Sequence, residues 1–280
     1  MRLKLTLRQQ KSVEYLPLNT GYHLASAIYA TLAHSSSSFA TQLHEHGYAS
    51  EGARQKFKYF TFSNLQIPAR TVEQGRIVSR SRTVTLYLSS PKEEFLQHLI
   101  SGLFSDGALR IENALFEKQL IESLPDPEWS ERMAFSMLSP LAASLYRDPS
   151  SGMNTKEYLR YDDNRLPDML LHNLQAKYRG IYGAEPPEGS VPFSIMFEVG
   201  YLKRMQEKGR SVEKLITIKD ANGKESRVKD IECPFTVTGH PELIKVGYEC
   251  GFGVNNAMGL GMVGLMRSIL TSKIKYSNAN

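Results

Sequence analysis

The chain is poor in the residues that build metal centres, disulfide scaffolds and membrane spans. Its two cysteines, Cys233 and Cys250, lie far apart without ligand spacing, and no CxxC, HExxH or calcium-loop pattern occurs. They read as buried thiols of a reducing compartment. Seven histidines leave a metal site possible without supporting one. No stretch approaches the roughly 18 unbroken apolar residues of a membrane helix. The first residues, Met1 to Leu7, alternate apolar and polar, which is a strand pattern and not a signal peptide. A soluble cytoplasmic protein is therefore expected, with no membrane partner, no metal and no cofactor. Excess charge is also scarce. Lys and Arg number 34 against 29 Asp and Glu, a net +5 that points only weakly to an anionic partner. What is present is ordinary: 41% hydrophobic and 22% charged residues in 280, enough to build a core in one large or two ordinary domains.

Two halves share one rhythm. Leu3, Leu5 and Leu7 predict a half-buried strand over 2–8. Tyr22, Ala25, Tyr29 and Leu32 predict a helix over 18–33, whose stripe Phe39 and Leu43 extend toward residue 45. The aromatic run 57–62 and the segment 76–88 predict strands. Pro91 marks the start of a helix carrying Phe95, Leu96, Leu99 and Leu103, and a strand follows through Leu109, Ile111 and Leu115. In the second half, strands are expected near 132–146, 191–203 and 213–219, and a helix at 167–179 with Leu170, Leu171, Leu174 and Tyr178. Asn222-Gly223 is a hairpin turn leading into a return strand over 226–237. A short helix starts at Pro241 and a last strand falls near 261–267. Pro125, Asp126 and Pro127 place a linker in 120–130. Two successive β-α-β-β-α-β units imply an α+β protein of tandem ferredoxin-like (RRM-like) domains, 1–124 and 130–270, with a C-terminal glycine-rich loop. That fold hosts many functions and decides none.

The loop is the most distinctive segment, with six glycines between Gly247 and Gly264. Glycine reaches positive φ and admits close approach of the backbone, and successive amides can cradle phosphate. Gly259-Leu260-Gly261-Met262-Val263-Gly264 matches GxGxxG, but a dinucleotide fingerprint needs an acidic residue about 20 positions on. Only 16 residues remain after Gly264 and none is acidic. No Gly-Lys-Ser/Thr follows to make a Walker loop. The plain alternative is a turn joining a helix to the last strand. Gly251-Phe252-Gly253, a polar insert and Gly259-Leu260-Gly261-Met262-Val263 resemble the glycine-rich signature of the RAMP superfamily, in the form carried by CRISPR repeat-processing endoribonucleases. The flanking residues 245–249, the N-terminal strand, Pro17 with its following helix, and the order of the two units extend the resemblance.

That resemblance implies a metal-independent endoribonuclease that cuts CRISPR repeat RNA into guide units. RNA supplies the 2′-hydroxyl nucleophile, so the protein must move protons and offset phosphorane charge. By resemblance, Ser26-Ala27-Ile28-Tyr29 corresponds to the helix with the family's tyrosine, Phe39 to Glu45 to the segment with its histidine, and Phe57 to Ser63 to the strand with its lysine. Tyr29, His44 and Lys58 are thus the candidate catalytic residues: an orienting hydroxyl, a general acid or base, and a charge stabiliser. Taken singly, Tyr29 fits a core stripe, His44 an exposed side chain and Lys58 a solvent-facing strand position. His46 and Lys56 are the alternatives if the register differs, because the connection through Gly47, Glu51 and Gly52 is long. His23 and His34 are expected to be structural. Gly251, Gly253, Gly259 and Gly261 are the candidate RNA-binding glycines. Arg80 and Arg82, in an arginine-rich hairpin with Arg70 and Arg76, are expected to meet the RNA backbone. A second basic cluster is Lys203, Arg204, Lys208 and Arg210. The expected partner is CRISPR repeat RNA, not DNA. The alternative reading is a non-catalytic RNA-binding subunit that joins the other subunits of an effector complex.

Overall fold

The computed structural model describes residues 1–48, 56–105, 108–146, 156–219 and 225–266. In the first half, β1 (Arg2–Gln9) buries Leu3, Leu5 and Leu7, as its alternation requires. β2 (Glu14–Pro17) and α1 (Gly21–Ser35) follow. The apolar stripe to residue 45 is not one helix. Ser36 adopts an extended conformation and its hydroxyl accepts the Phe39 N–H, which opens α2 (Ser37–Glu45). Of the expected strand 57–62 only β3 (Thr61–Phe62) pairs, because Tyr59 has φ +45° and leaves the pleat. The expected strand 76–88 divides at Arg80–Arg82. β4 (Arg70–Glu73) and β5 (Arg76–Ser79) form a hairpin on β2, and β6 (Thr83–Ser89) enters the main sheet. α3 (Glu93–Ser105) buries Phe95, Leu96, Leu99 and Leu103 and precedes the hairpin of β7 (Ala108–Ile111) and β8 (Ala114–Leu124). The sheet order is β3-β6-β1-β8-β7, with α1 and α3 sharing its core.

The second half runs β9 (Arg132–Met137), the pair β10 (Ser144–Tyr146) and β11 (Lys156–Tyr158), α4 (Leu166–Tyr182) and β12 (Ser194–Phe197). The strand expected to reach 203 stops there. The Glu198 carboxylate accepts the Gly200 and Tyr201 N–H groups and starts α5 (Val199–Glu207), which carries Lys203 and Arg204 on an exposed helix. β13 (Glu213–Lys219) and β14 (Glu225–Ile231) form a hairpin whose expected turn, Asn222-Gly223, lies outside the described residues. The return strand divides before Pro234, which has no N–H to donate, and resumes as β15 (Phe235–Thr238). α6 (Pro241–Cys250) begins at Pro241, and β16 (Val263–Leu265) ends the described chain. The sheet order β12-β15-β9-β16 repeats β3-β6-β1-β8: second, third, first and fourth strands of a β-α-β-β-α-β unit. The tandem ferredoxin-like architecture is thus observed. No helix among the described residues is long and apolar enough to cross a membrane.

The halves meet along a seam in which Arg2 is almost wholly buried. Its guanidinium donates to the Val263 and Tyr248 carbonyls at 2.6 and 2.7 Å and lies 3.5 Å from the Tyr248 ring centroid. Burial pushes its pKa down to about 10. Asp230 is less well served. It is fully buried on β14, neither carboxylate oxygen has a well-aligned donor among the described residues, and burial raises its pKa to about 7 against the opposing charge of Lys214. A raised carboxyl pKa favours folding at low pH. That contribution is lost as pH rises from the unfolded value near 4 through about 7. Asp230→Asn is therefore expected to melt progressively higher than the parent between these pH values and to keep a constant advantage above them, on the order of 2–4 kcal/mol. Thermal melts at pH 5 and pH 8 test this. An equal effect at both would show that ionisation of Asp230 is not the cost.

Candidate active site

Tyr29, His44 and Lys58 come from three separate segments and meet in one place. Tyr29 sits midway along α1, half-buried, with its hydroxyl buried and without a hydrogen-bond partner among the described residues. The corner at Ser36 turns α2 back along α1 and sets the His44 ring edge-on to Tyr29, centroids 4.9 Å apart at 87°. Lys58 Nζ lies 5.1 Å from the Tyr29 ring centroid. Lys58 is placed there by a clamp. The Tyr48 N–H donates to the Phe57 carbonyl at 2.8 Å, and Gly47, at φ +62°, lets that carbonyl approach where a Cβ would stand 2.6 Å from it. This clamp brings the two ends of the connection together whatever its length. His46 is 63% exposed, with Glu45 at 3.7 Å, and Lys56 is exposed.

Each group is tuned by its surroundings. Burial, then the nearby Lys58 charge, holds His44 below the ordinary imidazole value, with Glu45 opposing. Burial alone lowers Lys58. Burial, and next the Tyr48 hydroxyl, raises Tyr29 well above the usual phenol range, so it stays a donor. At neutral pH the cluster presents a neutral imidazole, a cation and an unused hydroxyl.

Lys58 also lines a cleft of about 820 Å³ between the halves. Its far wall carries Tyr146, Lys156 and His172, and Val254–Met258 of the glycine-rich loop form another side. Tyr146 is 65% exposed, with Lys156 Nζ 5.6 Å from its ring centroid, and Arg165 is held by Glu157 and Asp163.

The glycines serve the fold. Gly251, Gly253, Gly259 and Gly261 all have φ between +73° and +86°. A Cβ at 253 would overlap the Ala142 carbonyl oxygen and one at 261 the Phe252 carbonyl oxygen. Cβ atoms at 251 and 259 would stand 2.5 and 2.6 Å from Asn256 and Phe62. Protein atoms thus fill the space beside all four glycines, and of the four only Gly253 borders the cleft. Sequence reading missed what holds the loop. Lys177 on α4 is buried, and its ammonium donates to the Gly251 and Gly253 carbonyls at 2.6 and 3.0 Å and to Asn256 Oδ1 at 2.7 Å. Its helical spacing from Leu170 and Leu174, a lysine in an apolar stripe, is the signal that was available.

Arg80 and Arg82 lie elsewhere. With Arg8 and Lys11 they border a separate pocket of about 700 Å³. In the β1–β6 register Arg8 faces Thr83 whereas Arg2, at the seam, faces Ser89, which puts this pocket about 20 Å along β1 from the seam. Arg80 is occupied by Thr71 at 2.8 Å and Glu73 at 3.1 Å, and Arg76 by Glu112.

Two outcomes follow from this geometry. Titrated by NMR, His44 is expected below 6.5, and Lys58→Met should move it up part of the way, burial being the larger cause. An unchanged titration would mean that the two groups do not sense each other. Gly261→Ala combines backbone strain with a clash, whereas Gly75→Ala, at φ +73° with open space around its Cβ, carries strain alone. Strain costs about 1–3 kcal/mol, so Gly75→Ala should lie in that range and Gly261→Ala well beyond it in denaturant titrations. Equal costs would remove the clash from the account.

Comparison with known proteins bears on the fold and the family. Residues 15–121 match the family model described as CRISPR-associated protein Cas6, N-terminal, and residues 124–265 that of CRISPR associated protein Cas6, C-terminal. The chain is 33% identical over 269 residues to the CRISPR-associated endoribonuclease Cas6 1 of Methanocaldococcus jannaschii, covering 94% of this chain and 92% of the relative. It is 26% identical to the CRISPR-associated endoribonuclease Cas6 of Pyrococcus furiosus, covering 89% and 83%. Among solved structures, one described as CRISPR associated protein Cas6 superposes with a TM-score of 0.71 at 30% identity, covering 95% of this chain and 99% of that one. A Cas6-related protein of Pyrococcus furiosus shares the fold at a TM-score of 0.77 and 23% identity, covering 96% and 99%. The chain belongs to the Cas6 family of CRISPR-associated endoribonucleases.

Proposed function

We propose that this protein cuts CRISPR repeat RNA by metal-independent attack of a ribose 2′-hydroxyl on the adjacent phosphate, releasing a 5′-hydroxyl fragment and leaving a 2′,3′-cyclic phosphate. The observation that carries this reading is the convergence of Tyr29, His44 and Lys58. An imidazole that is neutral at working pH can take the 2′-hydroxyl proton, and its protonated form can return one to the leaving 5′-oxygen. The Lys58 ammonium, half-desolvated, faces the charge that develops on the phosphorane. The Tyr29 hydroxyl, which has no partner among the described residues, donates to a phosphate oxygen or orients the ribose. Residues 1–124 thus carry the chemistry. Residues 130–270 supply the far wall of the cleft, where Lys156 and the exposed Tyr146 ring suit a phosphate and a base of unpaired RNA. DNA, lacking the nucleophile, is not a substrate. The protein works in the cytoplasm, where its buried thiols remain reduced.

His44→Ala should lower single-turnover cleavage about 10²–10⁴-fold and leave repeat affinity nearly unchanged, while His46→Ala stays active. Cleavage should persist in excess EDTA, and a 2′-deoxy nucleotide at the cut site should block it. Activity lost on chelation and restored by magnesium would overturn the mechanism. Loss in His46→Ala with His44→Ala active would overturn the assignment.

A further inference from the structure

Residues 57–62 run between two hydrophobic cores, and neighbouring side chains enter different ones. Phe60 and Phe62 belong to the core under the first sheet, whereas Tyr59 is buried in the core of the second half, where Phe57 also packs. The crossing is made at Tyr59, whose φ of +45° is a conformation that a residue with a side chain keeps only when its surroundings hold it. Those surroundings are identifiable. A Cβ at Gly180 on α4 would overlap the Tyr59 hydroxyl and stand 3.0 Å from Cζ, so the missing side chain of Gly180 is the notch that seats the ring. Phe57 stacks on Tyr59 with centroids 5.6 Å apart, and Tyr48 lies at 5.7 Å. Lys92 Nζ sits 5.4 Å from the Tyr59 centroid and donates to the Ile181 carbonyl on α4 at 3.3 Å. The Ser90 hydroxyl donates to the Tyr59 carbonyl at 2.8 Å.

In the chain Lys58 lies between the two residues whose rings stack, Phe57 and Tyr59. With Phe57 and Tyr59 both drawn into the second half, the Lys58 backbone is fixed on either side, and its ammonium is delivered to Tyr29 in the first. We infer that Tyr59, seated in the Gly180 notch of α4, is a positioning residue that makes the placement of Lys58 depend on the docking of the two halves. The inference rests on the proposed role of Lys58, and its readouts are chosen to separate the two. Phe57 borders the cleft, as do His172, Ala176 and Lys177 of α4 one turn and more before the Gly180 notch, so the element that faces the substrate aims the charge stabiliser.

The test is Gly180→Ala in the full chain, alone and combined with Tyr59→Phe, with Lys58→Ala measured alongside. Gly180→Ala should displace the ring, lowering single-turnover cleavage of repeat RNA ten- to a hundredfold with affinity changed less than threefold. Because the Lys58 charge withdraws, the His44 NMR titration should also move up, a readout that needs no activity. Tyr59→Phe in the Gly180→Ala background removes the overlapping oxygen and should recover most of both losses. Melting temperatures above the assay temperature exclude unfolding as the cause. If Gly180→Ala leaves the His44 titration and the rate at parental values, or if the double variant is no better than the single, Tyr59 does not position Lys58. If Lys58→Ala cleaves normally while Gly180→Ala still shifts the His44 titration, the positioning holds and the catalytic role of Lys58 is what fails.

Discussion

The burial of one ammonium group organises the centre of this molecule. Lys177 is sequestered from water, and its pKa falls to about 8. Its three hydrogen bonds end on the Gly251 and Gly253 carbonyls and on Asn256. Those carbonyls follow directly on the C-terminus of α6, where helix carbonyls lack partners and the helix dipole favours a cation. A turn that tight pairs with neither sheet nor helix, so buried it needs a donor from outside, and an ammonium with three N–H bonds meets the need in one side chain. Asn256 completes the arrangement by donating to the Phe252 and Leu260 carbonyls. The loop so held sends β16 to pair with β9 and brings Gly259 against Phe62 and the Leu260 carbonyl against the Thr61 hydroxyl of the other half.

The two halves repeat one topology but do different work with it. In the first, the connection after β1 carries α1 and the extra helix α2, and with them Tyr29 and His44. In the second, the corresponding connection carries the β10–β11 pair and α4, and with them the far wall of the cleft, Lys177 and the Gly180 notch. Neither unit makes the site alone. On the proposed mechanism the first supplies the reacting side chains. The second holds the segment in which Lys58 lies and closes the cleft that Lys58 borders. Arg2 and the glycine loop keep the units in register across the seam, which lets a short-range chemistry rest on a long-range contact.

Much of this was legible in the chain. The alternation of Leu3, Leu5 and Leu7 and the spacing of Phe95, Leu99 and Leu103 are local patterns, and each strand or helix they marked is present. The glycine-rich segment identified the family, which the comparisons bear out. Where the reading failed, the deciding contact was small or distant. Ser36 and Glu198 start helices through one or two side-chain hydrogen bonds that hydrophobic patterning does not register. The run 57–62 reads as a strand from its aromatics, yet Tyr59 answers to α4, more than a hundred residues away.

The chain alone set the order of the principal strands and helices, the duplicated fold and the residue types able to cut RNA, because period, turn chemistry and motif are local. Only the tertiary structure decided that Tyr29, His44 and Lys58 share one site, that the loop glycines are demanded by packing against protein, and that Lys177 is the buried group they pack around. Each of these depends on which atoms fill the space across a domain seam, and the separation along the chain carries no record of that.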